Sequence, residues 1–299
     1  MSAPKLFLAY NEFWAPLPEV PAGAGLRLTT DRNCLDDVDA VLFHLPNLNV
    51  NTLPARRQNQ FWIAWYMESE VYYPRLNDPK FMNLFDIVAS HHLTADIWLP
   101  YVGQQFLARW YPGFRNKEAG VVYVQSNHWD RAGRRDYVAR LMRRVKIDSY
   151  GRSLNNRALV GDNGDESKLD LIARYKFTIA FENSIALDYV TEKFFQPLCV
   201  GSVPIYRGAP NVRSLAPATD CYIDANNFDS PEHLAAYLNH LLVTPREYEA
   251  YLAWRTRDFA PGFKAALEYS LISPWQRLST IINLRRNKTT TAACKGSKR

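Results

Sequence analysis

Short apolar runs recur along the first third of the chain at Lys5–Tyr10, Leu26–Thr30, Ala40–Leu45, Phe61–Tyr66, Ile87–Ser90 and Ile97–Leu99. Runs of this length, apolar throughout and bounded by turn-forming residues, suit parallel strands covered on both faces. Pro, Gly and charged residues then cluster over Pro112–Gly120, and a second series begins. It predicts strands at Val121–Gln125, Val145–Tyr150, Phe177–Phe181, Val203–Tyr206 and Tyr222–Ile223. Between them the apolar period changes from continuous to helical. Tyr137, Val138, Leu141, Met142 and Val145 share one face of a predicted helix over Ala132–Val145, with arginines opposite. Glu166–Tyr175 and Thr191–Val200 predict two more helices. Ser230 before Pro231 is a cap followed by proline, and Thr244–Pro245–Arg246–Glu247 repeats that order with a capping box. Trp275, Leu278, Ile281 and Ile282 lie at helical spacing near the end. The pattern predicts an α/β protein of two successive units. Residues 1–116 form the first and 117–262 the second. Residues 263–299 add a terminal helix, packing back on the first unit, and a basic tail.

Composition agrees with a folded chain. Of 299 residues, 47% are hydrophobic and 22% charged, which excludes a disordered or collagen-like protein. The net charge of +6 suggests nucleic acid at first sight. Six of the 36 basic residues fall in 285–299, which holds no acid, so the remainder is balanced at 30 against 30. No basic stripe interleaved with aromatics remains to grip a phosphate backbone, and nucleic acid is not an expected partner. The four cysteines, Cys34, Cys199, Cys221 and Cys294, have no metal-ligand spacing. No apolar run approaches the ~20 residues of a membrane span. The N-terminus lacks the long apolar core of a signal peptide. These features predict a cytoplasmic protein, with membrane contact weak and peripheral at most, at the inner membrane.

The chemistry concentrates in Tyr175–Asn211. A buried strand runs into Glu182, Asn183 and Ser184, passes Asp188 and Tyr189, and enters a helix at Thr191–Glu192–Lys193. In open α/β sheets ligands bind outside the carboxyl ends of the strands, and a helix N-terminus favours an anion. A lysine in a helix's first turn opposes the helix dipole, and becomes favourable when a phosphate sits there.

The string FENSIALDYVTEKFF followed by GSVPIYRGAPN resembles the signature of the α-1,3-fucosyltransferases. Trp65–Ser69 resembles the Glu-Ser element of that family's N-terminal domain. Leu84–Asp86 with Asp96–Tyr101, Ser126–Asn127 with Arg134, and Ile147–Arg152 resemble further family elements in order. The resemblance implies a bacterial-type member with a GT-B fold, two Rossmann-like domains facing a central cleft. It implies inverting transfer of L-fucose from GDP-β-L-fucose to the 3-hydroxyl of N-acetylglucosamine, in a LacNAc/Lewis-type glycan or a chitobiose/N-glycan core. By motif, Asn183, Tyr189, Glu192 and Lys193 contact the donor, Arg152 and Arg134 approach its phosphates, and Glu68 is the general base. Side-chain cations serve the leaving diphosphate, so no essential metal or other cofactor is implied.

Chemistry gives each role a reason. Inversion in one displacement needs a base on the acceptor side. The departing diphosphate needs fixed cations, for which a lysine point charge and an arginine fork are suited. Glu70 stays open as the alternative base and Arg157 as the alternative to Arg152. Adjacent His91 and His92 follow a strand; two adjacent residues within a strand would point to opposite faces, and they are taken as loop or acceptor-cleft residues, structural rather than catalytic. Asp37–Val38–Asp39 has the form of a metal-binding DxD but lies far in sequence from the donor motif. A non-catalytic glycan-binding protein on the same fold, or a binder of anionic surfaces through the basic tail, are the competing classes. Glu68, Arg152 and Lys193 together favour the enzyme.

Overall fold

Every apolar run of the first third becomes a strand. The computed structural model describes residues 4–110, 117, 119–159, 161 and 163–296. Its contacts divide the chain into two units, Met1–Pro100 with Ser270–Arg299, and Tyr101–Tyr269. The sequence pattern alone predicts the divisions at 116 and 262.

In the first unit β1 (Lys5–Ala9), β2 (Leu26–Thr29), β3 (Ala40–His44), β4 (Phe61–Tyr66), β5 (Ile87–Ser90) and β6 (Ile97–Trp98) form one parallel sheet in the order β2-β1-β3-β4-β5-β6. Successive side chains of a strand point to opposite faces. Accordingly Phe7, Leu42, Ile63, Trp65 and Ile87 enter one core, and Leu8, Val41, Phe43, Trp62 and Tyr66 the other. Both faces are buried, which is why these strands read as unbroken apolar runs. One short helix, α1 (Pro79–Met82), is capped by Asp78, whose carboxylate accepts from the Lys80 N–H.

The second unit runs α2 (Gln104–Arg109), β7 (Ala119–Gln125), α3 (Arg134–Leu141), β8 (Ile147–Gly151), α4 (Asp165–Ile172), β9 (Tyr175–Phe181), α5 (Glu192–Val200), β10 (Val203–Arg207), β11 (Ile223–Asp224), α6 (Pro231–Val243), α7 (Pro245–Ala250) and α8 (Pro261–Ser270). Its parallel sheet has the order β11-β10-β9-β7-β8. From β7 the chain steps to β8 on one side and then to β9 on the other. The strand order therefore reverses between β7 and β9, where open α/β sheets leave a ligand crevice.

Of two local capping expectations, one holds and one changes. Ser230 caps α6 as predicted, accepting from the His233 N–H at 3.2 Å. The capping box at Thr244 does not form. Its hydroxyl donates to the His240 carbonyl at 2.8 Å, and Glu247 lies 2.9 Å from His240 Nε2. Both side chains turn back onto α6 because only one residue separates the two helices.

The terminal helix, α9 (Pro274–Gly296), belongs to the first unit. Trp275, Leu278 and Ile282 are fully buried in the core beneath β4. The Trp275 ring stacks on Trp65 at 5.5 Å, and its Nε1–H donates to the Pro18 carbonyl at 2.7 Å. The helix continues well past Ile282 into the basic segment, since no Gly or Pro occurs between Trp275 and Lys295 to stop it. Arg285 pairs with Asp96, and Arg286 with Asp39 at 2.8 Å. Arg285 and Arg286 thus serve the fold. No described helix is long and apolar enough to cross a membrane.

Candidate active site

The β9 exit begins with a carboxylate that cannot reach water. Glu182 is fully buried. Its Oε1 accepts from the Thr191 N–H and its Oε2 from the Thr191 hydroxyl, both at 2.8 Å. Burial raises the Glu182 pKa, opposed by Lys193. Gly208 lies against this carboxylate, since a Cβ there would meet Glu182 Cγ at 2.5 Å. Thr191 also caps α5, its hydroxyl accepting from the Lys193 N–H at 3.4 Å. One threonine therefore ties the strand exit to the helix start.

Lys193 sits in the first turn of α5, its side chain partly exposed. Its Nζ donates to Thr191 Oγ1 at 3.1 Å and Glu192 Oε1 at 3.0 Å, and lies 3.6 Å from Glu182 Oε2. Burial would lower its pKa, but Glu192 and Glu182 overcome that and raise it. Burial would likewise raise Glu192, but Lys193 and Lys168 hold its carboxyl down at about 2. Lys168, on the neighbouring α4, is pushed down by burial against the opposing pull of Glu192.

The loop between Glu182 and α5 is equally fixed. Asp188 adopts a left-handed backbone, φ +62°. Its N–H donates to Asn211 Oδ1 at 2.9 Å, and Asn211 Nδ2 returns a bond to Asp188 Oδ1 at 2.7 Å. Tyr189 is buried with its ring edge-on to Tyr101 at 6.1 Å. The Asn183 carbonyl accepts from the Arg131 and Ala132 N–H groups at 2.8 and 3.0 Å, joining the β9 exit to the loop after β7.

Arg134 is 2% exposed and donates to the carbonyls of Phe181, Trp129 and Asn127 at 2.9–3.2 Å. Its guanidinium braces the ends of β9 and β7 from within. Arg152 follows β8 with its side chain exposed, and its N–H donates to the Gln125 carbonyl at 2.8 Å. Gly151 before it has φ +87°, and a Cβ there would strike the same carbonyl at 2.5 Å, so only glycine permits this approach. Arg157 is bound to Asp148 at 3.0 Å. Of the two arginines left open by the sequence, Arg152 is the one not engaged by that carboxylate.

The first unit holds the predicted base. Glu68 lies two residues past β4, half-buried, and burial followed by the Glu68 charge pushes the Tyr73 hydroxyl up to about 12. Glu70 Oε2 is 3.5 Å from His92 Nε2. The two histidines lie in a loop after the strand, as expected. β5 ends at Ser90, and His91 and His92 lie in the following turn with ring centroids 4.2 Å apart. Neighbours in a turn are free of the strand's alternation. Within the Asp37–Asp39 element, Asp39 is engaged in the fold, accepting from the Leu6 N–H at 2.8 Å and pairing with Arg286.

The second unit thus gathers Asn183, Tyr189, Glu192 and Lys193 around one strand exit, with Arg134 bracing them. Neither Lys168 nor Thr191 carries a predicted role from the sequence. Thr191 was legible as a cap. Lys168 was not, because its relation to Glu192 exists only where α4 packs beside α5.

Two family profiles match the chain. One described as "Fucosyltransferase, N-terminal" covers residues 8–102, and one described as "Glycosyltransferase family 10 (fucosyltransferase) C-term" covers residues 114–292. GDP-fucose protein O-fucosyltransferase 3 of Homo sapiens is 32% identical over 236 residues, 73% of this chain and 49% of that protein. Alpha-(1,3)-fucosyltransferase B of Drosophila melanogaster is 31% identical over 269 residues, 83% of this chain and 60% of that one. The chain spans about half the length of the curated relatives it matches. A crystal structure of an alpha1,3-fucosyltransferase with GDP shares the fold at a TM-score of 0.60, with 16% identity, over 89% of this chain and 88% of that one. The two parallel sheets are those of the GT-B architecture.

Proposed function

The chain belongs to glycosyltransferase family 10, the fucosyltransferases, and on that footing we propose that it transfers L-fucose from GDP-β-L-fucose, with inversion, to the 3-hydroxyl of an N-acetylglucosamine in a glycan. The observation that carries the reading is Lys193, a cation held in the first turn of α5 by Glu192, Thr191 and Glu182. As the bond between the fucose C1 and the β-phosphate oxygen breaks, its electron pair stays on the diphosphate. Lys193, the α5 N-terminus and exposed Arg152 are suited to that charge. Ionised Glu192 can accept hydrogen bonds from ribose or fucose hydroxyls, and Asn183 and Tyr189 bound the donor site. Arg134 acts through the backbone it braces. Fixed side-chain cations make an essential metal unnecessary at the diphosphate.

On the acceptor side Glu68 takes the hydroxyl proton as the oxygen bonds to C1. Its rival Glu70 faces His92 and is engaged there. A second reading of the acceptor has its own support, since relatives at 32–33% identity are named GDP-fucose protein O-fucosyltransferase 3. There a protein hydroxyl would replace the sugar hydroxyl at the same base.

The test is GDP release from GDP-fucose with N-acetyllactosamine, chitobiose and folded glycoprotein domains offered separately. Fucose appearing on O3 of N-acetylglucosamine supports the first reading, and fucose on a protein side chain replaces it with the second. A protein that fails to bind GDP-fucose would overturn both.

A further inference from the structure

The turn after β5 and the segment after β4 bring two imidazoles and a carboxylate together. Strands β4 and β5 are parallel neighbours that end level, Tyr66 opposite Ser90. Glu70, four residues beyond one end, therefore meets His91 and His92, one and two residues beyond the other. One ligand atom from each residue can be chosen so that all three lie within 4.8 Å of one another. The arrangement is shielded. His91 is 1% exposed, and both its ring nitrogens and Glu70 Oε2 are buried from solvent. The Tyr66 ring stands edge-on to both imidazoles, at 6.1 and 6.2 Å.

We propose that Glu70, His91 and His92 bind one divalent cation of the zinc class, with a fourth position left for water. The donor set argues for that class. Two imidazoles with one carboxylate is a set that zinc uses where it keeps an open position, whereas calcium and magnesium favour oxygen ligands throughout. The spacing argues likewise. With bonds of about 2.0–2.2 Å, two ligand atoms on a tetrahedral ion lie about 3.3–3.6 Å apart. His92 Nε2 and Glu70 Oε2 stand at 3.5 Å, already that edge. His91 is positioned beside them by its neighbours, the two rings lying 4.2 Å apart at 34°. The backbone of the turn is held separately. The Trp98 Nε1–H donates to the His91 carbonyl at 3.1 Å, and the His92 N–H to Ser90 Oγ at 3.3 Å. These contacts use backbone atoms of the two histidines and leave their ring nitrogens out, so ion binding need not break them. The ion would lie in the first unit, apart in role from the diphosphate chemistry.

The test uses the full chain freed of metal with a chelator and then titrated with Zn²⁺. Wild-type protein should retain one equivalent through gel filtration, and Co²⁺ in its place should give the visible absorption of a tetrahedral ion. Loss of an outer partner alone costs 10–100-fold in metal affinity, so Glu70→Gln and His92→Ala should each weaken Zn²⁺ binding by at least ~100-fold. Both residues are half-buried rather than core, and circular dichroism of the metal-free variants checks their fold. Zn²⁺ should also raise the wild-type Tm and leave that of Glu70→Gln unchanged. His240→Asn removes another histidine–carboxylate pair, at 2.9 Å, and should leave the tight site intact. Wild-type protein that retains no Zn²⁺ would overturn the proposal and leave a plain Glu70–His92 ion pair. Retention undiminished in Glu70→Gln and His92→Ala would overturn it too, by placing the ion elsewhere. GDP-fucose binding, measured on the same samples, reports the transferase reading independently.

Discussion

At the β9 exit Glu182 is fully buried, both its oxygens accept from Thr191, and the ammonium of Lys193 stands 3.6 Å away. At the β4 exit Glu68 is only half-buried and lies beyond the strand on irregular backbone. The contrast follows from what each exit is asked to do in the proposed reaction. A cation meant for a leaving phosphate works best when fixed in advance, because it then needs no reorganisation as charge develops. A base must exchange a proton with a hydroxyl that arrives with the acceptor, so its carboxylate has to stay accessible. Rigidity on the donor side is read directly from burial and hydrogen bonding, and the lesser burial of Glu68 suits access on the other.

The largest effect should fall on the accessible side. Glu68→Gln keeps size and hydrogen bonding but removes the base, and transfer should drop ~10²–10⁴-fold with GDP-fucose binding retained. Glu70→Gln in the same assay should remain far more active. The reverse ranking would move the base by two residues and erase the contrast as drawn.

Next comes the cation of the rigid side. Lys193→Ala should lower kcat by ~10²–10³-fold and weaken GDP binding. A variant within a few-fold of wild type would show that the phosphate is met elsewhere, with Arg152 the first place to look.

A subtler probe is Thr191→Val, nearly the same shape without the hydroxyl. It leaves Glu182 Oε2 lacking a donor inside the protein and removes the cap of α5, at a cost of about 1–3 kcal/mol. Thermal melts should show the loss, and GDP binding should weaken with it. An unchanged melt would mean that the strand exit is not tied to the helix as the hydrogen bonds indicate.

The smallest effect concerns acid. Glu192 is held at about 2 in the folded chain against its ordinary 4.5, so the unfolded chain binds its proton first as pH falls. Its stabilising contribution is complete above about 4.5 and is lost as pH falls toward about 2. The Tm gap between wild type and Glu192→Gln should be widest near neutrality and close steadily below pH 4.5. Partial exposure of the Lys193–Glu192 pair, 28% and 38%, keeps the gap small. A gap that stays constant to pH 2 would mean that Glu192 is not held down by its lysines.

Much of this molecule is local and therefore legible in one dimension. The strands could be read because burial on both faces leaves an unbroken apolar run, as in Ala40–His44 and Phe61–Tyr66. The donor-side motif could be read because Glu182 to Lys193 is one continuous stretch from strand to helix. The tertiary structure decided whatever depends on neighbours distant in the chain. Arg134, legible as a helix-start cation, proves to brace three carbonyls from inside the protein. Lys168 comes to act on Glu192 because α4 packs beside α5. His91 and His92 share a side with Glu70 because two parallel strands end level and the turn after β5 escapes the alternation of a strand. Apolar periodicity fixes which residues are buried and in which element. Which charges meet depends on packing across elements, and a linear pattern carries no record of that distance.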